Sequence, residues 1–352
     1  MSVKPELLWD QGSAYDLFIS LQILHRPDEF GLRPSWAAGV RSRLPTPLRE
    51  TLEQSQQFMA APIRWIYTLP EPKNAQTVLD TLADIPAGDR LSVLSFTGKD
   101  SEEAQAFHDF LRGLEGKQRL TARIEEQIRS HYQKSQRATK SFIRAMFAAW
   151  TDPAAFGSAL YEALTVYVEN FFKEEEARII PAQAKALTAF RAKAEQDDLV
   201  ALLEEVSSGV RMDWAAEMDQ LVLTPSFWGA PFVFYDAKDD QRGIIVFGAR
   251  PKGVALVPGE LVPDDLVGAL KAMADPTRLR ILKALYEAPQ TPSTLAKLLR
   301  LRPPTVIHHL NNLRLAGLVQ VTVSPESERR YAIRREGVGE TLDKLKTFLS
   351  GE

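Results

Sequence analysis

Cysteine is missing from all 352 residues, and that one gap removes disulfides, thiolate metal sites and cysteine nucleophiles together. A chain with no thiol to oxidise suits a reducing compartment, so a cytoplasmic location is expected. Histidine is scarce, with five in the chain, and His25, His108 and His131 stand apart from one another without the spacing of a ligand set. The sequence also lacks a phosphate loop, G-x-G-x-x-G, H-E-x-x-H and G-x-S-x-G. Few nucleophiles and bases remain beyond scattered carboxylates, so the chain does not read as an enzyme, and no cofactor or metal is expected. A spanning segment is missing too: the most apolar stretch, 145–172, is broken by Asp152, Pro153, Glu162 and Glu169. The opening MSVKPELLWDQ lacks the basic-then-apolar pattern of a signal peptide.

Charge is present but unevenly placed. The net value of -3 says nothing for nucleic acid. Residues 264–352, however, hold 14 Lys and Arg against 10 Asp and Glu, and between Arg300 and Arg335 the ratio is seven to two. A basic end on an acidic body fits a DNA-binding module attached to something else. The length suits two or three domains. Helical rhythm runs through Tyr15–His25, Asn74–Ile85 and Ser101–Leu114. No Gly or Pro interrupts 120–150, which predicts one long helix there. Asp152-Pro153 starts the next helix, and Pro181 opens another towards Val206. After Ser207 the period changes, and strands are predicted near Gln220–Leu223, Phe232–Tyr235, Ile244–Phe247 and Val254–Val257. A turn over 237–243 would join the second to the third. Residues 258–263 read as a joint.

The most informative stretch is Met273–Arg335. Three short helices each begin on a proline: Asp275 stands before Pro276, Thr291 before Pro292 and Arg302 before Pro303. Proline suits the first helical position, where its missing N–H would be unpaired anyway, and the Asp and Thr can cap the free amides. On the third helix Val306, Leu310 and Leu313 recur at spacings of four and three and define an inward stripe. That stripe is expected to pack on Leu279, Leu295 and Leu298. His308, Asn311 and Asn312 lie opposite, with Ile307 beside them. Asn can pair with adenine in the major groove, and Thr305 can reach a phosphate. VQVTV and RRYAIRR then form a two-stranded wing whose Arg329 and Arg330 would lie against the backbone, although Glu326 and Glu328 at its tip oppose phosphate. Such a winged helix-turn-helix reads DNA. Use of the same module for protein contact is the alternative.

MADPTRLRIL, TPSTLAKLLRL and TVIHHLNNLRLAGLV, in that order and followed by a basic wing, closely resemble the ArsR-type winged-helix repressors of bacteria. Asp275, Pro276, Thr277, Arg278, Leu279, Ile281 and Leu282 match that family's opening helix. Thr305, Val306, His308, His309, Leu310, Leu313, Arg314, Gly317 and Leu318 match its recognition helix, and Arg314 joins the expected DNA-binding set. The resemblance covers about a quarter of the chain and implies a dimeric repressor released from DNA by a ligand or metal. Metal release is not expected: the helix before the recognition helix carries no cysteine pair, and 337–349 carries no histidine. His308 and His309 are neighbours that point 100° apart and are ill placed to share an ion. Leu266, Leu270 and Met273, with Val338, Leu342, Leu345 and Leu349, resemble the family's two-helix dimer seam.

The expected architecture is therefore α+β, mainly α. Residues 1–208 form a helical regulatory or sensor body, 209–260 a small β segment packed on that body, and 261–352 the DNA-binding and dimerisation domain. Residues 1–260 hold 28 of the 31 aromatic residues, including every Trp, which allows a small apolar effector beside the core they build. TPSFWGAPF, with Trp228 between two prolines, is the expected wall of such a pocket. The function expected is sequence-specific transcriptional regulation, with double-stranded DNA and a second copy of the chain as partners and no membrane.

Overall fold

The computed structural model describes residues 5–96, 101–132, 138–207, 209–236, 242–251, 254–257, 264–323 and 329–350. The expectations for the wing tip at 324–328, the joint at 258–263 and most of the turn at 237–243 lie outside them. The fold is α+β and mainly helical, and the residues fall into two compact units.

The unit made of residues 10–26 and 34–181 is helical throughout its described residues. Its helices start where capping chemistry permits. Asn74 accepts from the Thr77 amide, Ser101 from Ala104 and Asp152 from Ala155. Helix Ser13–His25 is buried on nearly every side, as its uniformly apolar character requires. Two expectations fail here. The continuous helix over 120–150 is instead two helices, Ala122–His131 and Lys140–Thr151. Thr139 takes the Phe142 amide proton at 3.2 Å and restarts the spiral, so a stretch without helix breakers still held a start signal. Pro181 does not open a helix but sits inside one, Lys173–Ala194. Proline forfeits one backbone bond there, and Ile179, Leu187 and Phe190, all buried, anchor the helix on either side of it.

A buried polar cluster ties this unit together. Lys73 Nζ donates to Asp10 Oδ2 at 2.7 Å and to the Tyr67 carbonyl at 2.8 Å, and the Tyr15 hydroxyl donates to the same Asp10 oxygen. A side chain at Gly12 would bring its Cβ within 2.3 Å of the Lys73 carbonyl oxygen, so the two segments meet backbone to backbone.

The other unit comprises residues 1–9, 27–33 and 182–352. Its strands are β1 (Glu6–Trp9), β2 (Val210–Arg211), β3 (Gln220–Ser226), β4 (Val233–Asp236), β5 (Arg242–Gly248), β6 (Val319–Thr322) and β7 (Arg330–Ile333). One sheet has the order β1-β3-β5-β4, parallel except for β4. Its central strands are buried along almost their whole length, the pattern of a sheet covered on both faces. The expected strand at Val254–Val257 is not one. The Val254 amide turns back to the Pro251 carbonyl at 3.1 Å, and Leu256 and Val257 are simply buried. β1 is unforeseen, because its partner β3 lies more than two hundred residues away and no local pattern announces that pairing.

The second sheet, β2-β6-β7, is the expected wing with an extra parallel strand. The amides of Val321 and Val323 donate to the Gly209 and Arg211 carbonyls at 2.7 and 3.0 Å. The strand segment packs on Phe190, Leu202 and Leu203, which precede it, and on the winged helix as well. Leu221, Leu223, Ile245 and Phe247 share one apolar core with Ile281, Leu295, Leu310 and Val319 of the winged helix. The apolar pattern marked those strands as covered, and only the fold says by what.

The winged helix consists of helices Asp264–Met273, Pro276–Glu287, Pro292–Leu299, Pro303–Leu315 and Arg335–Ser350 around β6 and β7. The last helix docks by its backbone. A Cβ at Gly337 would lie 2.0 Å from the Gly317 carbonyl oxygen and 3.4 Å from Leu318 Cα. Gly337→Ala is expected to lever this helix away and to destabilise the chain by about 1–3 kcal/mol, read as a lower thermal midpoint. An unchanged midpoint would mean that the helix is not held by this approach.

Candidate nucleic-acid interface

The helix-turn-helix assembles from its caps inward. Asp275 accepts the Arg278 amide at 2.8 Å and starts Pro276–Glu287, and that bond holds its carboxyl below the usual carboxylate range. Thr291 accepts the Thr294 amide at 3.2 Å and starts Pro292–Leu299. Arg300 closes that helix in the left-handed conformation with φ 57°, and three residues later Pro303 opens the third helix without a side-chain cap. On this third helix Val306, Leu310 and Leu313 are fully buried, as the spacing predicts. Their packing partners differ in part. Leu295 is buried, but Leu298 and Leu279 are 59% and 51% exposed, and Leu299, Ala296, Ile281 and Leu285 take the inward places.

Opposite the stripe, Thr305, Ile307 and His308 are exposed. Asn311 and Asn312 are half-buried, and Asn312 Nδ2 lies 3.3 Å from His308 Nε2 one turn earlier. The pair presents an amide and an imidazole side by side at the helix front. His309 is half-buried, as expected; burial lowers its pKa, and its Nδ1 has no hydrogen-bond partner among the described residues. Arg329 and Arg330 are exposed at the start of β7. Arg300 and Arg302 are exposed as well, immediately before the reading helix, and belong with the cations expected to meet phosphate. Their charge shows in the sequence, and Pro303 marks their place just before the helix.

Arg314 differs from the rest of the expected set. Its guanidinium lies 4.8 Å from the centre of the Phe232 ring, and burial lowers its pKa. It is occupied within the chain and not displayed at the helix front. The cause is tertiary, since a ring 82 positions upstream in the sequence covers it.

The pocket expected at Trp228 is absent from its surroundings as described. Trp228 and Phe227 are fully buried core, and a Cβ at Gly229 or Gly248 would meet neighbouring atoms within 3 Å. A cavity in the helical unit, lined by Phe18, Leu21, Leu52, Met59, Leu160 and Leu164 among others, holds about 10 Å³, the scale of one water. Among the described residues no cluster of His, Asp and Glu could hold a metal ion, and no helix is long and apolar enough to cross a membrane.

Comparison with known proteins agrees with this geometry. The chain is 40% identical over 75 residues to the HTH-type transcriptional regulator CmtR of Mycobacterium bovis and to that of Mycobacterium tuberculosis. The match takes in 21% of this chain and 63% of the relatives, so the chain spans less than two thirds of their length. No solved structure matches it. The profile of the family described as "Bacterial regulatory protein, arsR family" matches residues 275–321, the span from the Asp275 cap into β6. Residues 275–321 are thus an ArsR-family helix-turn-helix domain at the C-terminal end of a much longer chain.

Proposed function

We propose that this protein is a sequence-specific DNA-binding regulator of transcription, acting as a cytoplasmic repressor. The observation that carries this reading is the division of the Pro303–Leu315 helix: Val306, Leu310 and Leu313 are buried, while Thr305, Ile307 and His308 face outward beside Asn311 and Asn312. In a helix-turn-helix such a front enters the major groove, and flanking cations hold the phosphates. Arg300, Arg302, Arg329 and Arg330 would serve that second role. Two copies of the chain would pair through the apolar faces of Asp264–Met273 and Arg335–Ser350. Leu270, Leu342, Phe348 and Leu349 are all exposed there at the level of one chain. The pairing would set two reading helices about one DNA turn, roughly 34 Å, apart.

The remaining residues, 1–260, would act as the regulatory part and bring the signal. A small apolar effector was expected there, and the 10 Å³ cavity lined by Phe18, Leu52 and Leu160 is by itself too small to hold one. Fragments of genomic DNA retained by the purified chain would supply the operator. Anisotropy of a labelled operator duplex then tests the reading directly. With four cations per chain, doubled in a dimer, affinity is expected to fall roughly 10³–10⁵-fold as salt rises from about 50 to 200 mM. Affinity that ignores salt, or no retained fragment above background, would point to protein contact as the use of this module.

A further inference from the structure

The reading helix is open along its first half and covered along its second. Residues 304, 305, 307 and 308 are exposed, yet none from 311 to 317 is. The winged helix's own elements supply part of that cover, and a segment remote in the chain supplies the rest. Helix Pro27–Phe30 packs against Pro303–Leu315. Phe30 meets Phe232 edge to face at 4.7 Å and stacks on Phe234 at 6.2 Å, and Phe232 lies under the Arg314 guanidinium. Arg314, Phe232 and Phe30 form a continuous file from the reading helix to the short helix. Residues 27–33 are an excursion: the chain leaves the helical unit after Arg26 and returns to it at Pro34. A loop bond from the Leu32 amide to the Pro27 carbonyl at 2.9 Å closes the excursion into one compact piece.

Charge makes the cover unfavourable to DNA. Asp28 and Glu29 are the exposed residues of the short helix and exposed Arg33 follows them, so the segment brings two carboxylates against one cation towards a helix expected to approach phosphate. The same packing removes one cation from that face by placing Arg314 against a ring. We propose that residues 27–33 are an autoinhibitory clamp, masking the C-terminal half of the reading helix until it is drawn off. Because the clamp is continuous at both ends with helices of the other unit, Ser13–His25 and Pro34–Arg41, a change in either helix reaches the reading helix without crossing the winged helix's own core. The input that moves it enters through the helical unit.

This inference rests on the DNA-binding reading, and the experiment separates the two. Operator affinity is measured for the full chain, for Phe30→Ala and for Asp28→Lys, the last an exposed position that leaves the aromatic file intact. The chain has no cysteine, so Asp28→Cys with Lys283→Cys, both at exposed positions, accepts a spin-label pair whose separation reports the clamp. Both affinity variants are expected to bind duplex roughly 5–10-fold more tightly than the parent. The label distance is expected to lengthen on duplex binding, and without duplex when Phe30→Ala is added. Salt-dependent binding by the parent, with unchanged or weakened binding by both variants and an unchanged distance, overturns the clamp alone. No binding by any of the chains overturns the DNA reading and the clamp with it.

Discussion

His308→Ala together with Asn311→Ala is expected to weaken specific operator binding by about 2–4 kcal/mol, roughly 30- to 1000-fold. The physical reason is that these side chains would meet base edges, where one well-made contact discriminates by about 1–3 kcal/mol. Non-specific binding should change little, because Arg300, Arg302, Arg329 and Arg330 keep their phosphates. Folding should be nearly untouched. His308 is exposed and meets Asn312 at 3.3 Å, and neither residue belongs to the buried stripe. The measurement is a pair of titrations, operator against scrambled duplex, with a thermal midpoint recorded alongside. Equal losses on both duplexes would move the two residues from base reading to backbone contact. A midpoint lowered by several degrees would give them to the core.

Lys73→Met is expected to be the most damaging single change to stability. Lys73 and Asp10 are 7% and 6% exposed, and their 2.7 Å ion pair is completed by the Tyr67 carbonyl and the Tyr15 hydroxyl. Burial, and then the adjacent Asp10 charge, raise the Tyr15 pKa well above its ordinary value, so this phenol stays protonated and donates its proton to Asp10. Removing the ammonium leaves a buried carboxylate with the Tyr15 hydroxyl and the Gln11 amide as its donors. Breaking such a pair costs about 3–5 kcal/mol. For a unit of this size that is a fall of roughly 10 °C in thermal midpoint. Adding Asp10→Asn to Lys73→Met should return part of the loss, because the uncompensated charge is then gone. A single variant as stable as the parent would mean that water reaches Asp10.

The reading of the winged helix was local, and most of it carried through. Asp275-Pro276 and Thr291-Pro292 announce helix starts through atoms within one turn, and both caps form. Val306, Leu310 and Leu313 announce an inward face because 100° per residue leaves no other arrangement. The same rule could not choose between Leu298 and its neighbour Leu299. They lie 100° apart on the helix, and a crossing angle set by the other helices decides which of them turns inward. Arg314 was expected to contact DNA, and nothing local to it announced that its guanidinium lies over the distant Phe232 ring.

By itself the sequence determined the things that turn on composition and short-range geometry. These are the absence of thiol chemistry, the predominance of helix, the three proline-started helices, the basic wing and the polar front of the reading helix. Tertiary structure alone decided which distant segments meet. It paired β1 with β3, laid β2 along the wing, merged the strand segment with the winged helix, and brought residues 27–33 onto the helix expected to read DNA. Pairing of that kind is settled by burial and backbone hydrogen bonds between remote strands and helices, and neither leaves a periodic mark in the segments that make it. The helix-turn-helix was therefore legible from its first proline. The cover over half of its reading surface was not.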